Sequence, residues 1–116
     1  MKVIIAGGRT FKDYDLLCRK ADVFLSRQDE VEIVSGAAKG ADKLGERYAE
    51  ERGYEVKLFP ADWGTFGNAA GYRRNVEMAV YGDALIAFWD GSSKGTEHMI
   101  NIAREQDLKI RIVTYK

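Results

Sequence analysis

The stretch Asp83-Ala-Leu-Ile-Ala-Phe-Trp-Asp90-Gly-Ser-Ser-Lys-Gly95-Thr-Glu-His-Met-Ile100 decides the fold. Its first half is an apolar run of strand length, as expected of a strand covered on both faces. Its second half is a Gly/Ser/Lys loop leading into apolar residues at helical spacing. A strand that passes through glycines into a helix aims unpaired backbone N–H groups and the positive end of the helix dipole at one point, which is a seat for phosphate. Two further junctions are built alike: Val3-Ile-Ile-Ala-Gly7-Gly-Arg-Thr10 and Ile33-Val-Ser-Gly36-Ala-Ala-Lys-Gly40-Ala-Asp42. A single glycine turn needs only a residue tolerant of positive φ. Three in one small chain imply a shared site.

Strand and helix alternate along the remainder. Short β-branched or aromatic runs predict strands at Lys2–Ala6, Glu32–Ser35, Glu55–Phe59, Ala84–Trp89 and Lys109–Thr114. Between them four apolar stripes predict helices: Leu17, Ala21, Phe24 and Leu25; Ala41, Leu44 and Tyr48; Tyr72, Val76, Ala79 and Val80; Met99, Ile102 and Ala103. Asp13 suits a helix start, and Gly53 and Gly82 suit helix ends. Right-handed crossovers then give an α/β, Rossmann-like three-layer fold: a five-stranded parallel sheet of order 3-2-1-4-5 with helices on both faces. Residues 1–116 are expected to form a single domain. In open sheets of this kind ligands bind at the carboxyl ends of the strands, near the point where strand order reverses. That point brings Gly7–Thr10 beside Gly91–Thr96.

At 116 residues, 46% hydrophobic and 31% charged, the chain has material for one compact core. A formal net charge of zero argues against wholesale electrostatic capture of nucleic acid and leaves room for a local basic patch. Cys18 is the only cysteine, so no intrachain disulfide can form; a buried, inert thiol and a cytoplasmic location are expected. No stretch approaches the roughly 20 apolar residues of a membrane span.

The segment Pro60-Ala-Asp-Trp63-Gly-Thr-Phe-Gly67-Asn-Ala-Ala-Gly71-Tyr-Arg73-Arg74-Asn75 is longer than a minimal strand-to-helix connection and has the composition of a functional loop. Trp63, Phe66 and Tyr72 offer faces on which a base can stack, or else fold inward as plugs. Arg73 and Arg74 offer bidentate forks for phosphate or carboxylate, and one of the two is expected to be merely solvated.

Gly7-Gly-Arg9-Thr-Phe11, Ser35-Gly36-Ala-Ala-Lys-Gly40-Ala-Asp42, Ala61-Asp62-Trp63 with Gly71-Tyr-Arg-Arg74-Asn75, and Asp83-Ala-Leu-Ile-Ala-Phe with Gly95-Thr96 together resemble the small stand-alone, YspA-like SLOG proteins of bacteria and their phages. SLOG is the Rossmann-like superfamily that joins the single-strand DNA-binding protein DprA to the LOG phosphoribohydrolases, with nucleoside deoxyribosyltransferases more distantly similar. The resemblance covers nearly the whole chain. DprA's Ser-Gly-x-Ala-x-Gly-x-Asp and Arg-Asn elements match Ser35, Gly36, Ala38, Gly40, Asp42, Arg74 and Asn75, and LOG's two glycine-rich phosphate loops match Gly36–Gly40 and Gly91–Thr96.

One departure bears on chemistry. The resemblance places a cleaving glutamate three residues after Thr96, where this chain has Met99, and Glu97 faces roughly the opposite side of the helix. A thioether is neither a base nor an anion, so glycosidic cleavage would fall to Asp42, Asp62 or Asp90. Each also has a plain structural role open to it: Asp42 bracing its helix, Asp62 and Asp90 holding their own turns. His98, the only histidine, is a weaker acid/base candidate, and without Cys or a second His nearby no metal site is expected.

The residues expected to bind ligand or phosphate are Gly7, Gly8 and Arg9; Ser35, Gly36, Lys39 and Gly40; Trp63, Arg73, Arg74 and Asn75; and Gly91, Ser92, Ser93, Lys94, Gly95 and Thr96. The leading expectation is a module that binds or senses a nucleotide-like small molecule at the carboxyl edge of the sheet. The alternatives are a nucleoside-monophosphate phosphoribohydrolase and a DprA-like single-stranded nucleic-acid binder. No cofactor is expected; a homo-oligomer is left open.

Overall fold

The computed structural model describes residues 1–116. Strand β1 (Lys2–Gly7) is followed by α1 (Tyr14–Phe24), β2 (Glu32–Ser35), α2 (Ala41–Arg52), β3 (Glu55–Leu58), the short α3 (Trp63–Phe66) with a 3-10 turn (Gly67–Ala69), α4 (Ala70–Tyr81), β4 (Ala84–Trp89), α5 (Lys94–Glu105) and β5 (Lys109–Thr114). All pairings are parallel and the order is β3-β2-β1-β4-β5, as expected.

The period-2 geometry of a strand divides the core in two. Val3 and Ile5 of β1 join Leu17 and Ala21 of α1 and Tyr48 and Ala49 of α2 on one face. Ile4 and Ala6 join Met78 and Ala79 of α4 and Met99, Ile100 and Ala103 of α5 on the other. The central strands β1 and β4 are therefore apolar on both sides, whereas all four residues of edge strand β3 are exposed. Each fully buried large side chain, Ile4, Leu85 and Phe88 among them, contributes roughly 1.5–3 kcal/mol.

The helix boundary signals are mostly met. The Asp13 carboxylate accepts from Leu16 N, and Gly53 closes α2 at φ +75°. Gly82 closes α4 as a helix end, in extended and not left-handed backbone, where a Cβ would lie 3.0 Å from the Ile4 side chain. Three expectations are corrected. On α4 the stripe Tyr72, Val76 and Val80 faces outward, and only Ala79 of that set is buried. The inner face carries Ala70, Asn75 and Met78 instead, one residue out of phase, because Asn75 is drawn inward by partners on α5. Cys18 is half-buried rather than enclosed, packed at the margin of the first core. Within the long Pro60–Asn75 segment a helical turn forms where a loop is expected, capped by Asp62, which accepts from Thr65 N at 3.1 Å.

Candidate functional site

Three strand ends meet at the carboxyl edge of the sheet. After β1, Gly8 N donates to Phe88 O (3.1 Å), and Gly8 O accepts from Phe11 N (3.2 Å) and Ala41 N (3.3 Å), so this loop is docked on the start of α2. The docking demands glycine at position 40: φ is +81°, and a Cβ would sit 2.2 Å from Gly8 O. After β2, fully buried Ser35 donates its hydroxyl to Glu46 (2.7 Å) and accepts from Ala37 N (3.1 Å), while Asp42 accepts from Ala38 N (3.3 Å). After β4, Asp90 accepts from Ser92 N and Ser93 N, both at 2.8 Å, which folds the turn into α5.

Helix α4 ties these loops together through Arg74 and Asn75. The Arg74 guanidinium donates to Gly36 O and, through Nε, to Asn75 Oδ1 (3.2 Å). Buried Asn75 donates Nδ2 to Gly95 O (3.2 Å) and lies 3.1 Å from His98 Nδ1. An amide NH2 has only hydrogens to offer, so His98 Nδ1 accepts, and the imidazole is fixed as the Nε2–H tautomer. Burial lowers the His98 pKa, which keeps the ring neutral. Its ring abuts Tyr72 edge-on at 4.6 Å. His98 thus sits behind the site as a brace.

Between these elements lies a cleft of about 440 Å³, within the size range of small-molecule sites. Its floor is Ala6, Met78 and Met99, and its walls carry Gly7, Gly8, Arg9, Thr10, Asp42, Arg74, Asn75, Asp90, Ser93, Gly95 and Thr96, with Trp63, Asn68, Gly71 and Tyr72 along the rim. A second cleft of about 450 Å³ adjoins it over β2 and β3; it takes in Gly36, Ala37, Lys39, Pro60 and Ala61 and shares Arg9, Ala38, Trp63 and Arg74 with the first. Trp63 and Tyr72 line the first cleft at 51% and 47% exposure, so they stand at its mouth instead of plugging it, whereas Phe66, 41% exposed, lines neither cleft.

The basic pair is split. Arg74 is half-buried in both clefts, its pKa lowered by burial despite Asp42 nearby, while Arg73 is exposed and its guanidinium stacks on Phe66 at 4.0 Å. Of the other expected ligand residues, Ser35, Gly40, Gly91, Ser92 and Lys94 line neither cleft. Ser35 and Gly40 shape the loops, and Lys94 is exposed beside Glu97 at 4.0 Å.

The three carboxylates also separate. Asp62 caps α3 and lines neither cleft. Asp90 is held by two backbone N–H groups, which lower its pKa. Asp42 is only 5% exposed, lines the first cleft, and is pushed up to a pKa of about 6 by burial, in spite of the Ala38 N–H and Arg74. Ala6, Thr10, Ala38, Asn68, Gly71, Tyr72, Met78 and Met99 complete the lining of the first cleft without having been among the expected ligand residues; Thr10 in the first glycine turn, Ala38 in the Ser-Gly-x-Ala pattern, Tyr72 as a stacking face and Met99 in place of a glutamate had each carried a signal.

A Rossmann-like sheet whose glycine-rich strand ends converge on one edge cleft defines the class. Residues 1–66 match the family described as YspA, cpYpsA-related SLOG, and the chain belongs to it. It is 34% identical over 119 residues to the Gene 61 protein of Mycobacterium phage D29, an alignment spanning 94% of this chain and 93% of that one. Its fold is similar to that of DNA processing protein A from Helicobacter pylori, a structure described for its single-stranded DNA binding mode, with a TM-score of 0.69 at 18% identity. The likeness takes in 100% of this chain and 66% of that one, just under two thirds of its length. No helix is long and apolar enough to cross a membrane.

Proposed function

We propose that the edge cleft binds a phosphate-bearing nucleotide unit presented by a single-stranded nucleic acid. The observation that carries this reading is the half-buried Arg74 fork set between glycine-rich strand ends, with two exposed aromatics, Trp63 and Tyr72, at the same mouth. Partly desolvated guanidinium and backbone N–H groups suit a phosphodiester, and unplugged aromatic faces suit bases that are not paired. The fold-level likeness to DNA processing protein A, whose structure is described for single-stranded DNA, is consistent with it. The zero net charge is not an obstacle, because the cations that matter are gathered locally. The test is fluorescence anisotropy with labelled single strands, matched duplexes and competing mononucleotides. Single strands should bind best, with affinity falling as salt rises; equal binding of duplex, or no competition for the cleft residues, would refute the reading.

A second reading is a free nucleoside monophosphate as the ligand, favoured by the cleft's size and by Asp42. A carboxyl with a pKa of about 6 beside the ligand is poised for proton transfer, and of the three candidate carboxylates it alone is both buried and in the cleft: Asp62 lines neither cleft, and Asp90 is exposed and held by two backbone N–H groups. Release of free base from a nucleoside monophosphate, abolished by Asp42→Asn, would favour hydrolysis over binding.

A further inference from the structure

We propose that the site has two compartments and that the cleft over β2 and β3 takes a second phosphate-bearing unit, so that the ligand spans two consecutive nucleotides across Arg74 and Trp63. This rests on the reading above and specifies its footprint. The two clefts are of nearly equal volume, about 440 and 450 Å³, and share the wall formed by Arg9, Ala38, Trp63 and Arg74. A molecule that fills one already touches the boundary of the other.

Their electrostatics differ. The first contains two arginines and two carboxylates, Asp42 and Asp90. The second contains Arg9, Lys39 and Arg74 and no carboxylate. In a chain of zero net charge, three cations without an acid in one cleft are not background, and an anion gains more there than in the first compartment. Arg74 faces both compartments, which suits a phosphate bridging two nucleotides. Its recorded bonds, to Gly36 O and Asn75 Oδ1, use two of the five guanidinium donors. Trp63 lines both clefts and stands half-exposed between them, where an indole face can stack on a base. The geometry therefore sets the minimal ligand at two units: one over the Met78 and Met99 floor, the next over Pro60 and Ala61 with its phosphate toward Lys39.

The experiment is a length series on the full chain: 5′-phosphorylated mono-, di-, tri- and tetranucleotides of one base, titrated calorimetrically against wild type and Lys39→Ala. Affinity should rise at least tenfold from one unit to two and change little beyond. In Lys39→Ala the ratio of dinucleotide to mononucleotide affinity should fall toward one. Mononucleotide binding with no gain at two units, or a gain that Lys39→Ala leaves intact, overturns the two-compartment site while the nucleotide reading stands. A nucleoside diphosphate that matches the dinucleotide overturns it too, since two phosphates on one unit would then suffice. Absence of binding at every length overturns both.

Discussion

Arg74 and Asp42 are the two groups whose chemistry the cleft alters most. Removing the guanidinium in Arg74→Ala should weaken a phosphodiester ligand about ten- to hundredfold, the loss of a charge-assisted pair worth roughly 1.5–3 kcal/mol. Because Arg74 also holds Gly36 O, thermal unfolding must accompany the titration. Unchanged affinity in a folded variant would remove Arg74 from the site. Asp42 predicts a pH dependence. Its folded pKa, about 6, lies above the unfolded value near 3.9, so between those values the folded state keeps a proton that the unfolded chain has lost. Its contribution to stability is therefore fully present below about pH 4 and lost as pH rises through about 6, amounting to roughly 3 kcal/mol. His98 has the opposite sign: its lowered pKa makes stability fall as pH drops below about 6.5. Comparing denaturant unfolding of wild type and Asp42→Asn from pH 4 to 8 isolates the carboxyl. Identical pH profiles would contradict its assignment as a buried acid.

At the level of elements, the starts of α5 and α2, on opposite faces of the sheet, invite different substitutions. Gly95 lines the first cleft, and a Cβ there meets nothing within 4 Å. Gly95→Val should leave the melting temperature nearly unchanged and abolish ligand binding by obstructing approach to the helix N-terminus. Retained affinity would show that phosphate sits elsewhere. Gly40→Ala acts through the fold instead. It forces a side chain into positive φ and against Gly8 O, so loss of about 1–3 kcal/mol or more is expected in chemical denaturation. The elements themselves were legible where two signals agreed, as with the Asp13 cap and the stripe beginning at Leu17. Helix α4 was misphased because Val76 and Val80 outweigh Met78 in a hydrophobicity pattern, whereas the packing is set by one polar residue. An asparagine in mid-helix is a poor helix former, and that cost was the available clue that Asn75 has fixed partners. Helix α3 gave no clue, since four residues are too few for a period.

For the molecule as a whole, strand order followed from connectivity: five apolar runs joined by helical segments leave few right-handed arrangements, and the loops at Gly7 and Gly95 then had to meet. That Arg9, Lys39 and Arg74 gather at this edge was legible, since two follow strand ends and the third opens a helix beside them; that they line a second cleft was not, because its remaining wall comes from Pro60 and Ala61 after β3. That same arrangement leaves β3 on the rim of the sheet with every residue exposed. Its outward backbone N–H and C=O groups form a template onto which another extended chain can add. Val56 and Leu58 would welcome such an addition, and alternating with them Glu55 and Lys57 oppose it by the cost of stripping water from charge. A chain with no net charge has no overall repulsion to keep its copies apart. Two side chains on one rim therefore guard its colloidal stability, and Lys57→Val should bring turbidity at concentrations where the parent stays clear by light scattering.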